Sequence, residues 1–598
     1  MEQRNLILAI VLSMAILFGF QLLFPPAPPP EQPQTAGTAG TTQDGTPIPG
    51  ASAPSLPGGS TAPAPGGVPM GVSREDAIGV SPRVAIEAPH LRGSIALRGA
   101  RLDDLILPDY RVSQDADSAP ITLLSPDGSA QPYFSSFGWA AKPGSDVALP
   151  DGETLWSAEG GPLTPASPVT LSWDNGQGLT FQQVIAVDED YLFTVTQRVV
   201  NNSESTVELA PYGLISRTGI PQILGFYILH EGPLGVFDQT LKEVDYDTLK
   251  DDYQGQQVVI DQATTGGWIG ITDKYWLAAL VPDQEASVNT RFVYSQPAGR
   301  DRFQTDFLYP SGAVAPGAST ETTSRLFAGA KRVPLLEQYQ ETYGIDNFDR
   351  AVDFGWFYFL TKPIFWALHW LHAVLGNFGL AILGLTVAIK IVFFPLANKS
   401  YKSMAKMRKL QPKMMELRER FSEDKQRLNQ EMMALYKKEG ANPLSGCLPI
   451  LIQIPVFFAL YKVMFVTIEM RHAPFYGWIH DLSAPDPTSI LNGFGVFPWD
   501  VPELGFFNIL NLGIWPLLMG ISMFLQQKLN PQPPDPVQAK VFLMMPIMFT
   551  FLLATFPAGL VIYWTWNNVL SMAQQAFIMK RHGVPLGSGK KKPDDDEE

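Results

Sequence analysis

The sequence lacks the residues that several kinds of site require. Cys447 is the one cysteine in 598 residues, which excludes intrachain disulfides and cysteine-rich zinc sites. Between residues 81 and 345, His90 and His230 are isolated and no paired acidic motif stands out. We therefore predict no catalytic residues, no metal site and no cofactor, and we expect a protein that is not an enzyme.

Basic residues are scarce over residues 25–389, which hold 20 Lys and Arg against 40 Asp and Glu. Binding to the phosphate backbone of a nucleic acid needs clustered Lys and Arg. The acidic balance of this region therefore argues against nucleic acid as a partner. Since the whole chain carries a net charge of −15, the remainder is slightly basic.

Charges are also missing from residues 6–24, a run of nineteen residues. At ~1.5 Å per residue this run is long enough to cross a ~30 Å hydrocarbon core. A cleaved secretory signal would have a shorter apolar core and an A-x-A-like site, whereas this run ends in PPAPPP. We predict an uncleaved transmembrane anchor at 1–24, followed by a Pro- and Gly-rich disordered linker at 25–80.

Five further apolar segments follow in the C-terminal part of the chain. They predict transmembrane helices at residues 374–397, 446–466, 506–527, 541–556 and 560–579. Twelve basic residues lie in the loop 398–440, whereas the loop 467–505 has only Arg471. By the positive-inside rule the N-terminus and the charged tail 580–598 are both cytoplasmic, and residues 25 to about 370 lie outside.

Residues 81–345 show apolar and polar residues in alternation. LTFQQVIAVDEDYLFTVTQRVVN and GGWIGITDKYWLAALVP carry this pattern and are bounded by Gly, Pro, Asn and Asp turns. We predict a large extracytoplasmic antiparallel β-sandwich, whose aromatic residues pack the core and edges rather than line a carbohydrate groove. Residues 346–373, which include FGWFYFLTKPIFWALHWL, predict an amphipathic helix at the membrane interface. The predicted fold class is an α-helical polytopic membrane protein, with a five-helix core, an N-terminal anchor helix and this β domain.

Residues 398–441 are charged and rich in helix formers. They predict a cytoplasmic hairpin of two helices, the second capped by Ser422 with Glu423 and Asp424 and ended by Gly440. Its recurring methionines are Met404, Met407, Met414, Met415, Met432 and Met433. Flexible methionines suit adaptable binding of substrates or a ribosome, and they equally suit the hairpin's own core. The excess of positive charge also fits anionic lipid headgroups.

Lys390 lies inside the apolar segment GLTVAIKIVFFPL. A lysine in the middle of a membrane helix costs roughly 2.5 to 3.5 kcal/mol on insertion scales, and it usually faces water or a polar cavity. Snorkelling to the cytoplasmic interface is the alternative. Helical side chains, however, lean toward the helix N-terminus, which in this orientation points Lys390 away from the cytoplasm. We therefore expect Lys390 to face a polar cavity inside the membrane.

Other polar residues of the predicted spans can complete that cavity. Thr386 precedes Lys390 by four residues and shares its helical face. Gln453 and Asn567 lie in other spans, as do Gln526, Gln527, Asn568, Gln574 and Gln575. None of the five C-terminal spans contains an acidic residue. The cation is therefore poised to attract the acidic or polar part of a passing chain.

Several longer strings are more specific than hydropathy. They are SMAKMRKLQPKMMELRERF, DKQRLNQEMMALYKKEGANPLSGCLPILIQIPVFFALY, APFYGWIHDLSAPDP and FPAGLVIYWTWNNVLSMAQQ. Together with the long outer β domain, these strings resemble the YidC family of membrane protein insertases in its long Gram-negative form. The resemblance covers nearly the whole chain.

The resemblance implies a function and a location. Members of this family insert newly made inner-membrane proteins and help them fold, alone or with the Sec translocon, through a positively charged groove. The implied location is the bacterial inner membrane with a periplasmic β domain, and the implied partners are nascent membrane proteins, the Sec translocon and lipids. The groove cation of the family is commonly arginine. Lys390 stands at the matching place, with the charge but without the bidentate fork.

Eight residues are expected at the groove or in contact with the substrate. They are Lys390, Thr386, Gln453, Phe457, Met523, Tyr563, Trp564 and Asn567. The resemblance places Phe457, Met523, Tyr563 and Trp564 near the substrate helix. These four residue types also suit ordinary packing or lipid contact in a membrane bundle.

Two other functions compete with insertion. A secondary transporter or channel is the main alternative, but we see no inverted repeats, and a lysine without an acidic partner is a poor proton relay. A membrane-anchored enzyme is the other, but the tail GVPLGSGKKK does not meet the spacing of a phosphate-binding loop. The sequence therefore favours the insertase.

Overall fold

The structure is a computed structural model. It describes residues 71–115, 117–142, 145–221, 229–255, 257–355, 357–421, 424–439, 448–497, 499, 501, 511–530 and 536–581. The predicted anchor at 1–24, the linker up to residue 70 and the tail from residue 582 lie outside the described residues. The described chain forms two compact units. The β unit runs to Lys362 and includes Phe465–Arg471, and the helical unit comprises Pro363–Met464 and the residues from His472 onward.

The described part of the β unit contains nineteen strands. They are β1 (Arg83–Glu87), β2 (Arg92–Ala96), β3 (Arg101–Arg111), β4 (Pro120–Leu124), β5 (Tyr133–Ala141), β6 (Ser157–Glu159), β7 (Val169–Asp174), β8 (Leu179–Val187), β9 (Leu192–Asn201), β10 (Val207–Thr218), β11 (Gly232–Phe237), β12 (Thr240–Glu243), β13 (Val258–Thr265), β14 (Trp268–Thr272), β15 (Trp276–Val281), β16 (Ser287–Ser295), β17 (Arg302–Leu308), β18 (Gly312–Val314) and β19 (Ser319–Ala330). In β8, every second residue from Leu179 to Val187 is buried, as the period-two pattern predicts.

The strands form two antiparallel sheets. The first has the order β1-β2-β3-β5-β10-β17-β16-β13, with β4 beside β3 and β18 beside β10, and the second has the order β12-β11-β14-β15-β19-β9-β8-β7-β6. Side chains connect their inner faces. Gln183 on β8 donates to the carbonyl oxygen of Phe137 on β5 at 2.8 Å, and the rings of Trp139 and Phe181 meet edge to face with centres 5.0 Å apart. The predicted antiparallel β-sandwich is thereby confirmed.

Three short helices complete the β unit: α1 (Arg74–Ile78), α2 (Tyr246–Asp251) and α3 (Val333–Tyr343). Helix α1 falls within the stretch 25–80 that the sequence assigns to a disordered linker. Ser73 caps this helix by accepting a hydrogen bond from the backbone N–H of Asp76 at 3.1 Å, and Arg74 pairs with Asp104. The composition of the linker does not reveal this order because the ion-pair partner is thirty residues away in the sequence.

The helical unit and its junction contain eight longer helices in the described chain. They are α4 (Tyr358–Leu375), α5 (Phe378–Val392), α6 (Phe394–Arg420), α7 (Lys425–Glu439), α8 (Leu448–Val466), α9 (Ile514–Leu529), α10 (Pro536–Leu552) and α11 (Ala558–Arg581). Helix α4 begins twelve residues after the predicted start of the interfacial helix at 346–373. Residues Phe348–Ala351 form a separate 3-10 turn instead.

The predicted span 374–397 is divided between three helices. Gly376 follows the end of α4 and has φ of 69°. A residue in this left-handed conformation ends a helix. Asn377 then caps α5 by accepting from the backbone N–H of Leu380 at 3.1 Å. At Phe393 the chain bends by 67° into α6. Hydropathy averages over these local signals, so it predicts one span at 374–397.

Within the described residues, the length and apolar character that a membrane crossing requires are not found together in any one helix. One bent pair, Phe378–Val392 with Phe394–Met407, satisfies both requirements when its two helices are taken together. Length and composition are the two properties on which this finding rests.

Residues Phe465–Arg471 overlap the end of α8 and pack into the β unit. The Arg471 guanidinium carbon lies 5.5 Å from the ring centre of Trp276 on β15, and Arg471 also donates to the carbonyl oxygen of Val112 at 3.3 Å. Four side chains of this segment are at most 4 % exposed: Val466, Thr467, Ile468 and Met470. A piece of the loop after α8 therefore belongs to the interior of the β unit.

Glu469 makes this segment sensitive to pH. Its Oε2 atom is buried and has no hydrogen-bond partner among the described residues, and burial raises the pKa of this carboxyl to about 7. Because the folded pKa lies above the ordinary value of 4.5, the stability that Glu469 contributes is greatest at acidic pH and is lost as pH rises through about 7. We expect Glu469→Gln to raise the free energy of opening of residues 465–471 at pH 8 by about 1 to 2 kcal/mol. Hydrogen–deuterium exchange of this segment in the full chain measures that change.

The same substitution should alter exchange little at pH 5, where the buried carboxyl is already protonated. Glu321→Gln is the matched control, because Glu321 is an exposed carboxylate on β19 of the same unit. It should leave the exchange of residues 465–471 unchanged at both pH values. An equal gain from Glu469→Gln at pH 5 and pH 8 would show that charge burial is not the cause.

Candidate functional site

A cavity in the helical unit collects many of the polar side chains of the predicted spans. It has a volume of about 100 Å³ and is bounded by residues of α5, α6, α8, α9 and α11. Its polar lining residues are Thr386, Lys390, Tyr401, Gln453, Gln526, Asn530, Tyr563, Asn567, Ser571 and Gln574. A polar enclosure among apolar helices is a candidate binding site.

Helical spacing explains why these residues meet. Thr386 and Lys390 are four residues apart on α5, so they share one face of that helix. Asn567, Ser571 and Gln574 recur at intervals of four and three residues on α11 and likewise share a face. The two faces meet at the cavity, since all five residues line it.

Lys390 is directed into the cavity. It lies in the last turn of α5 and is half-buried. Its Nζ donates a hydrogen bond to Oγ of Ser571 on α11 at 2.7 Å, and Ser571 is only 2 % exposed. The hydroxyl of Tyr401 on α6 is also within hydrogen-bonding reach of Ser571. These contacts hold the ammonium inside the helical unit.

The lining of the cavity contains no aspartate or glutamate among the described residues. The charge of Lys390 is therefore not neutralised by a lining carboxylate. A carboxylate that came within 4 Å of the ammonium would gain about 4 kcal/mol at an effective dielectric constant of about 20. The cavity can thus bind an anionic group through charge and neutral polar groups through its amides and hydroxyls.

Five of the eight predicted site residues line the cavity: Lys390, Thr386, Gln453, Tyr563 and Asn567. Tyr563 and Gln453 are within hydrogen-bonding reach of each other. The Thr386 hydroxyl instead donates to the carbonyl oxygen of Ile382 in its own helix at 2.7 Å. Thr386 therefore shapes the wall and adds little polarity.

The other three predicted residues, Phe457, Met523 and Trp564, form an apolar flank beside Tyr563. The rings of Phe457 and Trp564 meet edge to face with centres 4.6 Å apart, and the rings of Phe457 and Tyr563 stack at 6.4 Å. Met523 and Trp564 pack against a buried cluster of Met519, Leu553 and Val561. The structure thus brings the eight residues into two adjoining groups, one polar and one apolar.

Sequence reasoning missed three polar lining residues: Tyr401, Asn530 and Ser571. The signal for Ser571 was available, because it follows Asn567 by one helical turn. Tyr401 and Asn530 lie outside the apolar runs at 374–397 and 506–527, so hydropathy had no reason to select them.

The six hairpin methionines divide between packing and exposure. Met407, Met414 and Met432 pack in the core between α6 and α7, while Met404 packs with Tyr401 against Ile578 of α11. Met415 and Met433 are instead 59 % and 62 % exposed. Asp424 starts α7 by accepting from the backbone N–H of Arg427 at 3.0 Å, and Ser422, Glu423 and Gly440 lie outside the described residues.

Two family models match the chain. A model of the YidC periplasmic domain matches residues 83–367, and a model of the 60Kd inner membrane protein matches residues 370–584. Together they cover more than half of the 598 residues.

Relatives match the chain over almost its entire length. The membrane protein insertase YidC of Granulibacter bethesdensis is 51% identical over 98% of this chain and 99% of its own. The protein of the same name from Methylorubrum extorquens is 50% identical over 98% of this chain and 96% of its own. A crystal structure of an active YidC insertase is 16% identical, covers 83% of this chain and 92% of that chain, and has a TM-score of 0.32. The predicted resemblance is confirmed by the family models and the two relatives: the chain belongs to the YidC family of membrane protein insertases.

Proposed function

We propose that this chain inserts newly made inner-membrane proteins and helps them fold by drawing their polar ends into the cavity at Lys390. The observation that carries this mechanism is a half-buried ammonium in a cavity whose described lining has no carboxylate. The names of the full-length relatives support insertion. They give no support to the secondary transporter or channel.

The first step is capture of a polar or acidic end of the nascent chain. A lysine ammonium has three N–H donors, and the bond to Ser571 uses one of them. The amides of Gln453, Asn567 and Gln574 supply further donors and acceptors. Such partners reduce the cost of taking a polar segment out of water, which is a few kcal/mol for each unpaired group.

The second step is the sliding of the apolar part of the substrate along the apolar flank of Phe457, Met523 and Trp564. Aromatic rings offer large contact areas and methionine adapts to different shapes. A flank next to a charged cavity lets one substrate keep its polar end paired with cavity groups while its apolar span enters lipid. Exposed Met415 and Met433 on the hairpin are candidates for an earlier contact with an apolar segment or with the ribosome.

The membrane arrangement is part of the same proposal. An anchor at 1–24 and five spans of the C-terminal region would place both termini in the cytoplasm and the β unit in the periplasm. The distribution of Lys and Arg between the loops supports this orientation. Nascent membrane proteins are the proposed substrates, with the Sec translocon and membrane lipids as partners.

Photocrosslinking tests the substrate path. A benzoylphenylalanine at position 563 or 523 should capture a ribosome-bound nascent membrane segment, because Tyr563 lines the cavity and Met523 lies on the apolar flank. The readout is an adduct that contains both the chain and the radiolabelled substrate. Capture should require a substrate with an apolar segment.

The matched control is benzoylphenylalanine at Phe577, which is 61 % exposed on the same helix as Tyr563 and does not line the cavity. This position should capture lipid. Equal substrate capture at 577 and at 563 would contradict the assignment of the cavity and its flank as the path.

A further inference from the structure

A second apolar surface lies far from Lys390 in the chain, in the loop between α8 and α9. We define the aromatic loop as residues 487–499, of which the structure describes 487–497 and 499. Its sequence, PTSILNGFGVFPW, contains no charged residue. Its large side chains point outward: Ile490, Val496, Phe497 and Trp499 are 49, 80, 47 and 52 % exposed. The rings of Phe497 and Trp499 stack with centres 4.5 Å apart. A contiguous exposed apolar patch marks a contact surface.

The aromatic loop satisfies many of its polar groups internally. The Trp499 indole N–H donates to the carbonyl oxygen of Leu491 at 3.2 Å, and Asn492 accepts from the N–H of Gly495 through its side chain at 3.0 Å. Backbone bonds within the loop include Phe494 N–H to Ser489 O at 2.7 Å and Phe497 N–H to Asn492 O at 3.1 Å, and the Ile490 N–H donates to Leu512 O beyond the loop at 2.9 Å. In water, unpaired polar groups bond to solvent, whereas in lipid they have no such partner, so internal pairing suits a loop that leaves water.

Backbone strain gives the loop its outward face. Phe494 has φ of 60°, between Gly493 and Gly495 with φ of 60° and 90°. A bulky residue in the left-handed region is an outlier and is strained. The tight turn that these three residues make leaves Phe494, Val496 and Phe497 exposed.

The base of the loop is tied to the start of α9. Thr488 Oγ1 accepts from the backbone N–H of Ile514 at 3.0 Å, and Asp486 Oδ2 accepts from that of Trp515 at 2.8 Å. Helix α9 itself exposes Leu518 and Ile521, at 41 and 57 %. The aromatic loop is therefore fixed beside a helix that presents apolar residues to its surroundings.

We propose that the aromatic loop docks into the lipid interface of the membrane, with Val496, Phe497 and Trp499 buried about 5 to 10 Å into the headgroup and acyl boundary. Tryptophan and other aromatic residues favour this depth. A protein partner is disfavoured because protein interfaces have a polar rim, and the described loop turns its polar groups inward. The proposal rests on membership of an inner-membrane family and is independent of the role of Lys390.

Depth-dependent quenching tests the proposal on the full chain. Val496→Cys in a Cys447→Ser background would carry an NBD fluorophore, with the protein reconstituted in vesicles of phosphatidylethanolamine and phosphatidylglycerol. We expect severalfold stronger quenching by a lipid with a shallow nitroxide than by aqueous iodide. Val259→Cys on β13 is the control, since Val259 is an exposed valine of the β unit, and it should show the reverse preference.

Two outcomes would overturn lipid docking. Iodide quenching at 496 as strong as that at 259 would place the loop in water, and protection from both quenchers would place it against protein. A second variant checks the role of the rings. Phe497→Ser with Trp499→Ser in the labelled chain should move the label severalfold toward iodide, and an unchanged ratio would also overturn the proposal.

Discussion

Lys390→Glu is expected to lower the insertion of a substrate with an acidic translocated tail by about 100-fold or more, because attraction of about 4 kcal/mol becomes repulsion and each 1.4 kcal/mol is a factor of ten. The described lining has no other cation that could replace the charge of Lys390, and it has no carboxylate. Lys390→Arg should retain most of the activity, since the charge remains. Lys390→Ala should lie between them, because it removes attraction without adding repulsion.

The measurement is protease protection of the translocated tail in vesicles, together with growth of a strain depleted of its own insertase. Lys399→Glu is the matched control, since Lys399 is an exposed lysine of α6 that undergoes the same charge change outside the cavity. A substrate with a neutral tail should respond far less to Lys390→Glu. Full activity of the Glu variant on the acidic tail would refute the electrostatic model.

Ser571→Ala separates the charge of Lys390 from its position. This variant removes the 2.7 Å bond that holds Nζ and leaves the ammonium in the cavity. Its effect on insertion should therefore be small compared with that of Lys390→Glu. A loss as large as that of the Glu variant would mean that the exact placement of the ammonium matters more than its charge.

Lys331→Met is expected to stabilise the β unit at pH 7 by about 2 kcal/mol. The Lys331 side chain is 1 % exposed and donates to Oγ1 of Thr272 at 2.8 Å. Burial lowers the pKa of this amine to about 8, although the charges of Asp273 and Asp353 oppose the shift. Removing a buried charge often stabilises a protein when an apolar side chain of similar volume replaces it.

The stability gain from Lys331→Met depends on pH. Because the folded pKa is depressed from 10.5 to about 8, the stability linked to Lys331 is complete above 10.5 and is lost as pH falls through 8. The advantage of Lys331→Met should therefore shrink as pH rises from 8 toward 10. Thermal unfolding of the full chain, followed by strand ellipticity, measures it. Lys142→Met, at an exposed lysine of the same unit, should show no such trend.

The β-sandwich could be predicted because period-two alternation reports burial on one face of a strand, as β8 shows from Leu179 to Val187. The burial of Lys331 could not be predicted, because its surroundings arise from pairing between strands that are distant in sequence. Thr272, which accepts its hydrogen bond, lies fifty-nine residues away. Local pattern thus determined the class of fold, and long-range pairing determined its polar interior.

The part of the candidate site that could be predicted consists of residues related by helical spacing. Thr386 and Lys390 were found from an interval of four residues, whereas Tyr401 reaches the cavity only because the chain bends at Phe393. No hydropathy window registers such a bend. The sequence also left open whether the hairpin methionines pack or bind, and the structure shows which of them are buried. Met414 is 8 % exposed and its neighbour Met415 is 59 % exposed.

The packing of Phe465–Arg471 into the β unit means that this domain is discontinuous along the gene. Cutting the chain after Lys362 would leave a module that is continuous in sequence but lacks Phe465–Arg471, which belong to the same compact unit. Ile468 and Met470, at most 4 % exposed in the full chain, would then remain on the other piece. The β domain of this protein therefore has to be delimited by its contacts. An exchange of the β domain between relatives would need to move the chain up to Lys362 and Phe465–Arg471 together.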